Sequence, residues 1–193
     1  VLIRWKNEKL GFIPPDVFIE IAEKTGEIYK IGKWIFEEAI KEIAHYKDHN
    51  INLSINLSPK QLINKHIYHD FTKIIKDYNI NPNQVTLELT ENAMLDKTEN
   101  FDLLSKFHQD GIKISIDDFG KGYSSLSYLK DFPISEIKLD KNFVDEIHKP
   151  FNAHLVSSIS NLSEKLGMSL VIEGVETKEQ EEILINLGCH YFQ

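Results

Sequence analysis

Six residues place oxygen or amine donors at or near the ends of short β-rich runs: Asn56, Glu88, Asp117, Asp118, Lys138 and Glu173. Hard divalent cations such as Mg²⁺ or Mn²⁺ take oxygen ligands of this kind. The adjacent Asp117-Asp118 pair has the reach to bridge two ions, or to serve one ion and its water. Taken singly, each acid has an ordinary explanation as a turn or cap residue. Taken together, four carboxylates converging on a low-dielectric mouth would repel one another and resist ionisation unless cations neutralised them. Lys138 reads equally well as a structural ion-pair partner of one acid or as a catalytic group.

Arg4 is the only arginine among 22 basic residues. A planar guanidinium suits bidentate grip of a phosphate, a task lysine performs less well. The run DDFGKGYSSL places Gly120 and Gly122 just after the acidic pair. It reads as a loop entering a helix at Ser124 or Ser125, either a plain turn or a segment that gates and contacts a ligand. The eight histidines form no HExxH motif. The pairs His45/His49 and His66/His69 have helical spacing but sit on polar, solvated faces. Phe18, Trp34, Phe36 and Phe107 read as helix core, and Cys189 as a small buried residue within a strand.

These residues have to be positioned by alternating units in which a short strand is followed by a polar turn and a helical segment. Strands are expected around Ile3, then at 51–57, 85–90, 112–117, 136–140, 169–173 and 189–193. Helices are expected from Pro15 to a stop at Gly26, through KWIFEEAIKEIAHY, and near 67–78, 99–109, 124–130, 153–166 and 178–187. In INLSINLS, VTLELTE and GIKISIDDFG, apolar residues alternate with Asn, Ser, Thr, Glu, Lys and Asp. Parallel sheets joined by crossover helices are covered on both faces, so the polar set lines something enclosed. A (β/α) barrel meets that requirement, with its active site at the C-terminal strand ends. An open doubly wound sheet is the alternative, but it would carry a Gly-rich phosphate turn after an early strand, and none is present.

The 193 residues carry 22 basic and 30 acidic side chains, a net charge of −8 that opposes binding of long nucleic acid or acidic lipid. A small anion held through metal ions remains compatible with it. The one cysteine allows neither an intrachain disulfide nor a Cys-based metal site, which suits a cytoplasmic setting. No 18-residue apolar run appears, and VLIRWKNEKL lacks a signal-peptide layout, although a longer parent could be membrane-anchored. No linker or low-complexity tract divides the chain, so one domain is expected over residues 1–193.

The combination LIRW, IPPDVFIEIAE, INLSPKQL, LELTE, IDDFGKGYSSLSYL, IKLD, VIEGVET and the terminal Gln193 resembles the EAL family of cyclic di-GMP phosphodiesterases, in order and from Leu2 to Gln193. The resemblance implies an α/β, TIM-like (β/α) barrel that opens cyclic di-GMP to linear pGpG with Mg²⁺ or Mn²⁺, as two ions. It implies metal ligation by Asn56, Glu88, Asp117, Asp118 and Glu173. Lys138 resembles the lysine that positions the attacking water, and Glu173 is the alternative general base. Leu2, Arg4 and Gln193 resemble substrate-contacting positions, with Arg4 on a phosphate, and Glu91 resembles the anchor of the DDFG loop. Cyclic di-GMP, a homodimer, and an upstream sensor or GGDEF-type module in the parent chain are the partners implied.

The chain departs from the family pattern in a few places. Val1 stands where the Ala of Glu-Ala-Leu would sit, so the motif glutamate is expected immediately before Val1, and this stretch alone is expected to be inactive. The first strand is expected to be missing, the domain to be truncated at both ends, and the barrel therefore incomplete. Lys121 replaces the usual Thr of the loop. A catalytically inactive cyclic di-GMP receptor is the second functional reading. An unrelated metal-dependent barrel, with Lys138 abstracting a proton, is the third.

Overall fold

The computed structural model describes residues 1–46, 49, 51–94, 99–121 and 129–193. The chain forms two compact units, Val1–Glu88 with Asp96–Lys113, and Leu89–Leu95 with Ile114–Gln193.

The first unit opens with an antiparallel hairpin, β1 (Trp5–Asn7) and β2 (Gly11–Ile13). The Asn7 side chain accepts the backbone N–H groups of Lys9 and Leu10 at 2.9 and 3.1 Å and closes the turn. The strand expected around Ile3 is thus displaced to Trp5, and β2 was not expected. Three-residue strands with exposed side chains carry too little alternation to be seen in a sequence.

Helix α1 (Pro15–Thr25) starts at a proline and stops at Gly26, which has φ +80°, as expected. Helix α2 (Ile28–Ala44) begins five residues before the expected Lys33. Gly32 hid that first turn, since glycine is a poor helix former. Its use here is steric: a Cβ would lie 1.8 Å from the Gln61 Nε2. Gln61 belongs to α3 (Pro59–Leu62), whose entry is fixed by a reciprocal cap between Ser58 and Gln61. Strand β3 (Leu53–Asn56) pairs in parallel with the start of β4 (Val85–Thr90), and Asn56 stands opposite Glu88.

The core of this unit lies between α2, α4 (Ile67–Asp77) and α6 (Glu99–Gln109). Phe36 and Phe71 stack with centroids 3.8 Å apart, and Phe107 tilts against Phe71 at 6.2 Å. Phe18, Phe36 and Phe107 are buried as expected, but Trp34 is 57% exposed. Residues two apart on a helix do not share a face, so Trp34 and Phe36 cannot both point inward. Trp34 instead lines a shallow groove with Leu2 and Arg4.

In the second unit β5 (Lys113–Phe119), β6 (Glu136–Leu139), β7 (Ser169–Ile172) and β8 (Tyr191–Phe192) are parallel neighbours in chain order. Parallel pairing requires crossovers, and helices α8 (Pro150–Leu166) and α9 (Lys178–Asn186) supply two of them. Short helices α5 (Glu91–Met94) and α7 (Asn142–Asp145) directly follow strands β4 and β6. Ile114, Ile116, Ile137, Leu139 and Ile172 are fully buried and form the apolar face of these strands. Cys189 is buried as expected, but it precedes β8 rather than lying in it. The helix expected over 124–130 falls largely outside the described residues. Among the described residues no helix is long and apolar enough to cross a membrane.

Candidate metal and phosphodiesterase site

The strand faces behave as the alternation requires. Val85, Leu87 and Leu89 are fully buried on one side of β4, while Thr86 and Glu88, on the other, are also buried, at 5% and 6% exposure. On β5, Ser115 is fully buried and donates its hydroxyl to Glu136 at 2.9 Å. On β6, Glu136 and Lys138 share a face, and Asp140 continues the same parity just past the strand end.

Asp117 and Asp118 depart from that alternation. In a regular strand, adjacent side chains point to opposite faces. Here the register against β6 shifts between Ile116 and Phe119, and Asp118 adopts φ +56°. This bulge re-aims one side chain, so that both carboxylates serve one place. Carboxylate oxygens of Asp117, Asp118 and Glu173 lie within 4.8 Å of one another, all half-buried. Such a cluster of anionic oxygens suits a hard divalent cation.

Two ammonium groups press on the cluster. Lys138 Nζ, nearly buried, lies 2.6 Å from Glu173 Oε1 and 3.6 Å from Asp117 Oδ1. Lys121 Nζ lies 2.6 Å from Asp118 Oδ1 and 2.8 Å from Asp140 Oδ2. Contact with Asp118 first, and Asp140 second, raises the Lys121 pKa above the ordinary lysine range. Burial alone would push the Asp140 carboxyl up, but the Lys121 ammonium and the Asn142 N–H outweigh it and hold the carboxyl below the usual range.

Backbone geometry fixes the frame around these side chains. Glu91 Oε2 accepts the Gly120 N–H at 3.3 Å. Gly120 has φ +93°, and a Cβ there would strike the Phe143 ring at 2.6 Å. Gly174, at φ +74°, leaves no room for a Cβ beside Lys141. The Gln193 carbonyl accepts the Gly174 N–H at 2.8 Å, which ties the end of β8 to the residue after Glu173.

The residues singled out in the sequence are therefore distributed as follows. Asp117, Asp118, Lys138 and Glu173 meet in the second unit, with Glu91 at the start of α5 and Gln193 just past the end of β8. Asn56 and Glu88 are register partners in the first unit. Leu2 and Arg4 lie in its N-terminal segment, both exposed, and the Arg4 guanidinium donates to the Ile3 carbonyl at 2.9 Å. Lys121 and Asp140 were not picked out as site residues. The signals for them were the i,i+3 spacing from Asp118 and the shared parity with Lys138.

The EAL domain family matches residues 1–193. The chain belongs to that family. It is 39% identical over 197 residues to the bifunctional diguanylate cyclase/cyclic di-GMP phosphodiesterase MucR of Pseudomonas aeruginosa, covering all of this chain and 29% of MucR. It is 36% identical to the cyclic di-GMP phosphodiesterase PdeR of Escherichia coli, covering 98% of this chain and 29% of PdeR. The solved MucR phosphodiesterase in complex with c-di-GMP superposes with a TM-score of 0.91, over 100% of this chain and 80% of that one, at 39% identity. The manganese/cy-diGMP complex of BlrP1 from Klebsiella pneumoniae superposes at 0.84, over 95% of this chain and 47% of that one, at 31% identity. The fold is the expected α/β, TIM-like (β/α) class of EAL structures. The chain spans under a third of the length of these two curated relatives.

Proposed function

We propose that this EAL domain hydrolyses cyclic di-GMP to linear pGpG with the help of divalent metal ions. The observation that carries the reading is the convergence of Asp117, Asp118 and Glu173 with Lys138 in a chain of this family. The donor set fits Mg²⁺ or Mn²⁺, being all carboxylate oxygen among the described residues of the cluster. Asp117, Asp118 and Glu173 would hold metal in the second unit, while Asn56 and Glu88 keep the ligand roles implied by their motifs. When bound, the ions would lower the pKa of a coordinated water toward neutrality and supply positive charge for the phosphoryl oxygens.

The chain's own residues do the rest. Lys138, fixed between Glu173 and Asp117, orients both carboxylates and places an N–H donor beside any water they hold. Glu173 offers a carboxylate to which that water can pass its proton. Glu91, through Gly120, keeps the turn after Asp118 in register. Arg4 and Gln193, with Leu2, form the expected contacts to substrate, Arg4 to a phosphate. Cytoplasmic residence, a homodimer and an upstream sensor or GGDEF-type module complete the proposal.

The reading is tested by incubating the full-length protein with cyclic di-GMP and Mn²⁺ and separating the products. Accumulation of pGpG is expected. Stoichiometric binding of cyclic di-GMP without any product would make the domain a receptor instead.

A further inference from the structure

The two lysines on the acidic cluster are held differently. Lys138 is nearly buried and lies on a strand, clamped by Glu173. Lys121 is half exposed, on the turn that follows β5, and has two anionic partners of unequal character. Asp140 is 6% exposed at its side chain and is fixed by the Asn142 N–H at 3.0 Å. Asp118 is 40% exposed and belongs to the cluster of candidate metal ligands.

An ammonium 2.6 Å from Asp118 Oδ1 occupies that oxygen and adds a positive charge next to any ion approaching it. The buried Asp140 carboxylate, in contrast, gives Lys121 a lasting partner, since leaving a buried carboxylate without its cation is costly. A long, flexible lysine stem can give up Asp118 while keeping Asp140. We propose that Lys121 is a tethered competitor of the metal: it neutralises Asp118 in the metal-free protein, must be displaced for an ion to bind there, and so sets the metal concentration at which the site fills. Lys121 is on this view a positioning residue, and its role rests on the metal reading of Asp117, Asp118 and Glu173.

The test needs no turnover. In the metal-stripped full-length protein, free Mn²⁺ is followed by electron paramagnetic resonance during titration, for wild type, Lys121→Gln, Lys121→Arg and Asp117→Asn. Lys121→Gln is expected to bind Mn²⁺ about tenfold more tightly, as loss of one adjacent like charge implies. Lys121→Arg, which keeps the charge, is expected to stay near wild type. Metal-free Lys121→Gln is expected to melt lower than wild type and to gain more from saturating Mn²⁺. Lys121→Thr gives the same readout should the glutamine variant fail to fold. Affinity unchanged or weakened in the neutral variants overturns the proposal. If Asp117→Asn then still loses Mn²⁺, the metal reading stands without it; absence of Mn²⁺ binding in wild type overturns both.

Discussion

At the scale of single residues, chemistry is decided by how few atoms are free to move. Asp118 takes a left-handed backbone conformation that a non-glycine residue rarely adopts, and the gain is a second carboxylate beside that of Asp117. Glu91 bonds the next peptide but one, at Gly120, so its carboxylate acts on the same turn. Glu91→Ala is expected to speed hydrogen exchange over residues 117–121 and to lower activity, with Mn²⁺ affinity within a few-fold of wild type, because one hydrogen bond to a charged acceptor contributes about 1.5–3 kcal/mol. Exchange mass spectrometry with a parallel Mn²⁺ titration checks it. Metal affinity lost with an unchanged exchange pattern would make Glu91 a ligand rather than an anchor. The residue types of this site were legible in the sequence, since acids at strand ends announce themselves. The bulge that lets neighbours share a face was not, because nothing in the letters Asp-Asp marks a positive φ.

At the scale of elements, periodicity carries what is buried and loses what is exposed or locally compensated. Strands β3, β4 and β5 follow from alternation, β6 to β8 from short β-rich runs between turns and helices, and helices α1, α4, α6, α8 and α9 from their apolar stripes and stop signals. The N-terminal hairpin has no buried face to advertise it, and the first turn of α2 is hidden by a glycine that Gln61 demands. The α2–α4 contact adds an electrostatic element to the Phe36–Phe71 stack: Asp70 accepts the Tyr29 hydroxyl and pairs with Lys33 at 3.0 Å. Burial alone would raise the Asp70 carboxyl, but Tyr29 and Lys33 outweigh it and hold it below its ordinary value. A lowered folded-state pKa stabilises the protein above the unfolded value near 3.8 and loses that contribution as pH falls through the folded value. Asp70→Asn is therefore expected to cost about 1–3 kcal/mol at pH 6. The gap to wild type should be narrower at about pH 3.5, just below the unfolded value, and close only as the pH falls through the lower folded one. Urea unfolding at the two pH values decides the matter, and a gap that widens on acidification would show that Asp70 is not held as an anion.

At the scale of the whole chain, a net charge of −8 repels polyanions, while Lys121 and Lys138 sit where the acids gather. A small dianionic ligand in such a chain needs positive charge supplied locally, which is the part divalent ions would play. Fold class was legible because parallel strands whose polar face is also covered are what crossover helices produce, and within each unit the polar strand residues are buried: Thr86 and Glu88 in the first, Ser115 and Lys138 in the second. Family membership was legible because linked motifs run in order from Leu2 to Gln193. The division into two compact units was not, since no change in composition marks it. The central claim is that Asp117 and its neighbours bind the metal on which hydrolysis depends. It is tested most directly by initial rates of cyclic di-GMP hydrolysis against Mn²⁺ concentration, in metal-stripped full-length wild type and in folded Asp117→Asn. The account predicts no pGpG from wild type without metal, full recovery on adding Mn²⁺, and no hydrolysis by Asp117→Asn at limiting Mn²⁺. Near-normal turnover of the folded variant at limiting metal would contradict it.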